Sequence, residues 1–153
     1  MTVSKIFAAA AILLLAGCAA PPPPPPPPVL VLSITGSAAQ NPDAAGHGNA
    51  VAVALYQLTG TGRFMAADVY SLTGKEAATL GTDEAGGAQQ FLLAPGQSLT
   101  ETVSLKPSVT AVGFAVLFRD INHSTWKLVA PVAANGTTAL SLHINGLVAT
   151  LGK

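Results

Sequence analysis

The chain has 153 residues, one cysteine, and only 9% charged residues at a formal net charge of +0. That balance leaves no basic stripe for nucleic acid, and a lone cysteine leaves no internal disulfide. Past the N-terminus no segment reaches the ~18 uninterrupted apolar residues of a membrane span, and what remains has the length of one domain.

In chain order, Lys5 and the free amine form a positive start, and residues 6–14 are a short apolar run. A spanning helix needs about 20 apolar residues, so this run reads as the core of a signal peptide. Leu15-Ala16-Gly17-Cys18 closes it. Small residues leading into cysteine in this order resemble a bacterial lipobox. In such proteins the cysteine gains a thioether-linked diacylglyceryl group, the preceding segment is removed, and the new N-terminus is acylated. The expectation is that residues 1–17 are a cleaved lipoprotein signal peptide and that Cys18 is the lipidation site, with covalent lipid such as palmitate as the only non-protein group. The competing reading is an ordinary secretory signal peptide cut near Ala16, with Cys18 free. One acyl chain holds a membrane marginally; several, at about 0.8 kcal/mol per buried CH₂, hold it stably. Residue 19 is Ala rather than Asp. By resemblance to enterobacterial lipoproteins, that implies export to the outer membrane.

Residues 21–28 are all proline. Proline fixes φ and lacks the N–H donor, so the run predicts polyproline II, roughly 25 Å long at ~3.1 Å per residue. With residues 18–20 it reads as a stiff spacer between anchor and domain. A ligand for an aromatic-lined groove is the rival reading.

Residues 29–153 form the remaining domain, and period-two alternation dominates them. Leu30, Leu32 and Ile34 alternate with Val31, Ser33 and Thr35. Residues 36–49 have no periodicity and are rich in turn formers, which predicts a long loop of the kind that often carries function. Residues 50–58 are apolar on both faces and predict a strand covered on both sides. Met65, Val69 and Leu72 recur at helical spacing with Gly74 as a stop, and a second weak turn runs over residues 75–80. Residues 89–93 predict a strand ending at Pro95-Gly96. Leu99, Val103 and Leu105 mark the next. Val112, Phe114, Val116 and Phe118 share a face, with Gly113 and Ala115 keeping the other thin. Trp126 and Leu128 begin a further strand. Leu140, Leu142 and Ile144 oppose Ser141 and His143, Asn145-Gly146 suits a hairpin turn, and residues 147–151 return. About eight short strands with a small helical insert predict a β-sandwich.

No catalytic pattern stands out. His47, His123 and His143 share no metal-ligand spacing, so no metal site is expected. There is no G-x-S-x-G elbow and no phosphate-cradling glycine loop. Asp83-Glu84, just before Gly86-Gly87, reads as a solvated surface loop. Trp126 and the phenylalanines read as core. No enzymatic activity is expected.

The residues in order resemble the type VI secretion lipoprotein family (TssJ, SciN, VasD). Behind the lipobox come Asn41-Pro42-Asp43, Tyr56-Gln57-Leu58, Phe64, Ala67-Asp68, Leu72, Leu80-Gly81, Pro95-Gly96, Gly113, Phe118-Arg119-Asp120 and Trp126. The chain departs from the family at Ala54, where many relatives carry Arg, and at Lys127, which follows Trp126 where relatives carry Arg. Lysine cannot make the same planar bidentate contact. The resemblance implies a transthyretin-like two-sheet β-sandwich, anchored by lipid in the outer membrane and facing the periplasm. It implies that the partner is the periplasmic C-terminal region of TssM, with TssL in the same complex. It also implies that the loop between the first two strands contacts TssM. On this chain that assigns partner binding to Asn41, Pro42, Asp43 and His47. Asn41 precedes proline and is expected to be extended; Asp43 is expected to accept backbone N–H groups. A lipid-anchored transthyretin-like module that holds a small ligand or assists folding is the alternative. A closed sandwich with a protruding first loop would favour assembly; a deep apolar pocket would favour the ligand binder.

Overall fold

The computed structural model describes residues 22–153. The signal peptide, Cys18, Ala19 and the first proline of the run lie outside them.

Alternation sets the layers. In β1 (Val29–Gly36) Leu30, Leu32 and Ile34 are fully buried while the intervening side chains are half-buried. β1 pairs antiparallel with β4 (Ser98–Ser104) and parallel with β7 (Thr137–Asn145), and β7 pairs with β8 (Val148–Gly152). The first sheet therefore runs β4-β1-β7-β8. The second is antiparallel throughout, β3-β2-β5-β6, from β2 (Val51–Leu58), β3 (Gln89–Leu93), β5 (Ala111–Leu117) and β6 (Lys127–Pro131). Leu30, Leu32 and Ile34 of one sheet meet Val53, Leu55 and Phe114 of the other in the core between them. This is the two-sheet β-sandwich that the sequence predicts.

β2 and β5 bury both faces, which explains their lack of polar alternation. Their second face, with Ala54, Tyr56, Leu58, Ala111 and Ala115, is covered by the insert between β2 and β3. The insert is three short helices, α1 (Gly62–Ala66), α2 (Val69–Gly74) and α3 (Glu76–Leu80), followed by a 3₁₀ turn, Gly81–Asp83. It lies across the outer face of the second sheet, not over one end of it. The buried side chains are Phe64, Leu72 and Leu80, whereas Met65 is 53% exposed. The helical spacing through Met65, Val69 and Leu72 misleads because the helix breaks. Ala67 is extended, and Asp68 starts a new helix by accepting the Ser71 N–H at 2.9 Å. Each break resets the phase of the apolar face.

Phe64 fits because Gly113 has no side chain. A Cβ there would sit 2.7 Å from the ring. The same ring lies tilted on Tyr56, with centroids 5.2 Å apart. The Tyr56 hydroxyl donates to the Leu72 carbonyl at 3.5 Å, and burial, with the Glu76 and Glu84 charges, pushes the phenol up to about 12. Lys127 ties the insert to β6: its Nζ donates to the carbonyls of Met65 (2.6 Å) and Ala67 (2.7 Å). It also sits 5.1 Å from the half-buried Trp126 ring. A lysine at this position thus caps the end of α1.

Two local expectations are corrected. Asn145 pairs with Val148, so the β7–β8 turn is Gly146-Leu147 and Asn145 is still strand. Gly146 alone has positive φ there (56°), as a turn with glycine first requires. Glu84 is not freely solvated. It bridges to Leu58, and burial, with a hydrogen bond to and charge from Glu76, raises its carboxyl to about 8. Asp83 accepts the Arg63 N–H at 3.3 Å.

Candidate partner-binding face

Strand direction sorts the loops onto two ends. β1 begins at the proline run and finishes at the β1–β2 loop, so an eight-residue strand separates these by about 26 Å. The registers place the β3–β4 turn, the β5–β6 loop and the β7–β8 turn at the same end as the β1–β2 loop. At the other end the last prolines are fastened to the first sheet. The Pro28 carbonyl accepts the Leu105 N–H at 3.0 Å, and the Pro26 carbonyl accepts the Gly136 N–H at 3.4 Å. Residues 22–27 are exposed and Pro28 is buried. The spacer therefore joins the domain at the end opposite the β1–β2 loop.

That loop is built from the inside. Gln40 and Asn41 are buried, 0% and 3% exposed. The Gln40 amide donates to the Leu93 carbonyl at 2.8 Å, tying the loop to the end of β3. Asn41 makes three ties. Its N–H donates to the Gly146 carbonyl (2.8 Å), its Nδ2 to the Ala50 carbonyl (2.7 Å), and its Oδ1 accepts the Arg119 N–H (2.8 Å). One residue, through its backbone N–H and its side-chain amide, thus joins the β1–β2, β5–β6 and β7–β8 connections. Asn41 is not extended, as the following proline suggests, but has φ +48°, alone among the described non-glycine residues. Asparagine tolerates that conformation, and these hydrogen bonds hold it there.

The outer part of the loop folds on Asp43. Its Oδ1 accepts the N–H groups of Ala45 and His47, both at 2.9 Å, as expected for this residue. The His47 backbone hydrogen bond is the chief reason that the Asp43 carboxyl lies below its ordinary pKa. His47 Nδ1 approaches Asp43 Oδ2 at 3.5 Å, with the imidazole 80% exposed. Of the four residues assigned to partner binding, His47 is at the tip, Pro42 and Asp43 are half-buried, and Asn41 lies beneath. The Asp43 carboxylate shapes the tip and Asn41 the base.

Beside the loop lie surface residues that the loop composition did not flag. Arg119 is exposed and bonded through its backbone to Asn41. Tyr70 is 76% exposed and, with Val69, Phe118, Arg119 and Ile121, lines an open groove of about 270 Å³. A neighbouring groove of about 290 Å³ runs from Tyr70 and Ile121 to Trp126. Phe118-Arg119-Asp120 and Trp126, among the motifs that carry the family resemblance, were the available signal for this side. A third groove, about 420 Å³, opens at the opposite end between β6 and the ends of β7 and β8. Among the described residues, no three of His, Cys, Asp and Glu gather to hold a metal ion. No helix among them is long and apolar enough to cross a membrane.

The family model described as type VI secretion lipoprotein, VasD, EvfM, TssJ, VC_A0113 matches residues 28–147. The chain belongs to the type VI secretion lipoprotein family. Its fold is similar to that of the T6SS lipoprotein TssJ1 from Pseudomonas aeruginosa, with 28% identity, 83% of this chain and 96% of that chain covered, and a TM-score of 0.79. A chain of a type VI membrane complex matches at 26% identity over 82% of this chain and 98% of that one, with a TM-score of 0.72. A chain in the structure of the T6SS protein TssM C-terminal domain from EAEC matches at 26% identity over the same shares, with a TM-score of 0.69. No relative is found among curated proteins. The matched residues, 28–147, include the helical insert and the β1–β2 loop.

Proposed function

We propose that this protein is a lipid-anchored outer-membrane component of a type VI secretion system that ties the trans-envelope complex by binding the periplasmic region of a TssM protein, with TssL in the same complex. The observation that carries this reading is polarity. The spacer enters at one end of β1, and a pre-ordered loop cluster stands at the other. An anchor at Cys18, through the thioether lipid that the lipobox implies, holds the first end to the membrane and turns the cluster toward the periplasm. Family membership and the match to a chain in a TssM structure support the choice of partner. A loop already held by Asn41 and Asp43 loses little entropy on binding. Asn41 and Asp43 set its shape; Pro42 and His47 present its surface.

The test is titration calorimetry of the chain from Cys18, unlipidated, against the TssM periplasmic region. Replacing residues 39–47 by a Gly/Ser linker weakens binding while thermal melts show a folded sandwich. Unchanged affinity in a folded variant would move the interface elsewhere. The anchor is tested separately. Cys18→Ser abolishes palmitate labelling, and wild-type protein fractionates with the outer membrane. Equal label in mutant and wild type would overturn lipidation at Cys18.

A further inference from the structure

The proline run does not merely precede the domain; it is zipped into it. Val29 N–H donates to the Gly136 carbonyl at 2.8 Å, and the Pro26 and Pro28 carbonyls accept from Gly136 on the β7 side and Leu105 on the β4 side. The tether therefore continues β1, which is an interior strand of its sheet. β1 is held from Val29↔Ser104 to Thr35↔Ser98 on one side and from Val29↔Thr137 to Gly36↔Ile144 on the other. β7 is parallel to β1 and ends at Asn145, in the distal loop cluster. β8 runs back and stops beside the middle of β7, with Gly152 opposite Ser141 and so level with Ser33 of β1.

We propose that the β1–β7 pair is a mechanical clamp, which passes tension from the tether to the β7–β8 turn of the distal cluster by shear, while the backbone of β1 carries it to the β1–β2 loop. A pull on the tether and an opposite pull at the end of β7 act along two parallel strands. The ladder bonds between them lie across that force and share it together, so no single bond opens first. A pull between the tether and the C-terminus has the opposite geometry. β8 is an edge strand whose C-terminal residue would be pulled back along its own pairing with β7, so its bonds to β7 open one after another. The sandwich is thus strong along the axis from anchor to loop cluster and weak across it. This rests on the reading of the distal loops as the partner's attachment, for which an envelope-spanning machine supplies the load.

The experiment is single-molecule force spectroscopy on the chain from Cys18 with the natural thiol as one handle. Residues 22–153 contain the eight described strands and the two described apolar clusters, so this chain keeps the sandwich. The second handle is Asn145→Cys for shear or Lys153→Cys for peeling. Both residues are exposed, and thermal melts confirm that both variants fold. Forced unfolding reports the barrier along the pulled direction. The expected result is an unfolding force several-fold higher for the Asn145 handle than for the Lys153 handle at one loading rate. Equal forces, or a stronger Lys153 geometry, would overturn the clamp. The measurement needs no partner. Loss of anisotropy with intact TssM binding therefore sinks the clamp alone, and loss of the binding result sinks the partner reading alone.

Discussion

Asn41→Ala tests whether Asn41 acts on the proposed binding loop by shaping it or by touching the partner. The substitution leaves the Ala50 carbonyl and the Arg119 N–H without their side-chain partners. Both are partly buried, so each falls at the low end of the range for an unsatisfied group, about 1 kcal/mol. Alanine must also adopt φ +48°, which costs a residue with a Cβ about 1–2 kcal/mol. The total is about 3–4 kcal/mol, a large part of the ~5–15 kcal/mol that keeps a domain folded. At a urea slope of roughly 1.5 kcal/mol/M the midpoint drops by about 2 M. Asn41→Gly loses the same hydrogen bonds but accepts the positive φ. Its own cost is the extra freedom of the unfolded chain, about 0.5–1 kcal/mol, so it ends slightly above the alanine variant.

The assay is urea unfolding of the unlipidated chain from Cys18, paired with titration against the TssM periplasmic region under conditions where each variant is folded. Affinity falls in both variants although Asn41 is 3% exposed, because the loop must then be ordered on binding. His47→Ala is the control. It removes an exposed ring at the tip, so its midpoint stays put and only binding responds. A wild-type midpoint in Asn41→Ala would refute the two side-chain ties of Asn41 as the basis of loop order.

Gly113→Ala drives a methyl into the Phe64 ring, 2.7 Å from its nearest atom; overpacking of this kind costs about 1–3 kcal/mol and lowers the thermal midpoint. Phe64→Ala empties the centre of the insert-to-sheet contact and costs about 3–5 kcal/mol by the same measurement. Lys127→Met removes the two donations to the end of α1, so limited proteolysis cuts residues 60–75 faster than in wild type. Glu84 binds its proton more tightly folded than unfolded, with a folded pKa of about 8 against the ordinary 4.5. Its contribution to stability is complete below about pH 4.5 and is lost as pH rises toward about 8. Glu84→Gln therefore flattens the fall in urea midpoint between about pH 5 and pH 9; an identical slope in the two proteins would remove Glu84 as its source.

The strands were legible because the solvent writes a period of two into any strand with one buried face. Leu30-Leu32-Ile34 and Leu140-Leu142-Ile144 show it directly. Even the exception was readable: β2 and β5 are apolar on both faces because a second layer covers them, and their small residues Ala54, Gly113 and Ala115 leave room for it. The insert was harder. Its three helices are too short to carry a repeating apolar face, and each contributes a single buried anchor: Phe64, Leu72 and Leu80. The hairpin was misplaced by one residue because Asn145 and Gly146 both tolerate positive φ, and only the pairing with Val148 decides between the two turns.

The β1–β2 loop shows why composition finds an irregular segment but not its wiring. Turn formers and missing periodicity mark residues 36–49 as irregular, and Asp43 declares its backbone bonds by being an aspartate with free N–H groups just after it. Asn41 does not declare its own. Its partners are nine residues away at Ala50 and seventy-eight away at Arg119, and a distance of that kind leaves no local trace. The same holds for Gln40, which reaches Leu93 across fifty-three residues. These long ties run from one strand connection to another at the same end of the sandwich. A face assembled in this way is pinned to the sheets beneath it, although its residues belong to loops. If this face is the proposed partner surface, its shape is set before the partner arrives, and binding need not spend its free energy on ordering the loop.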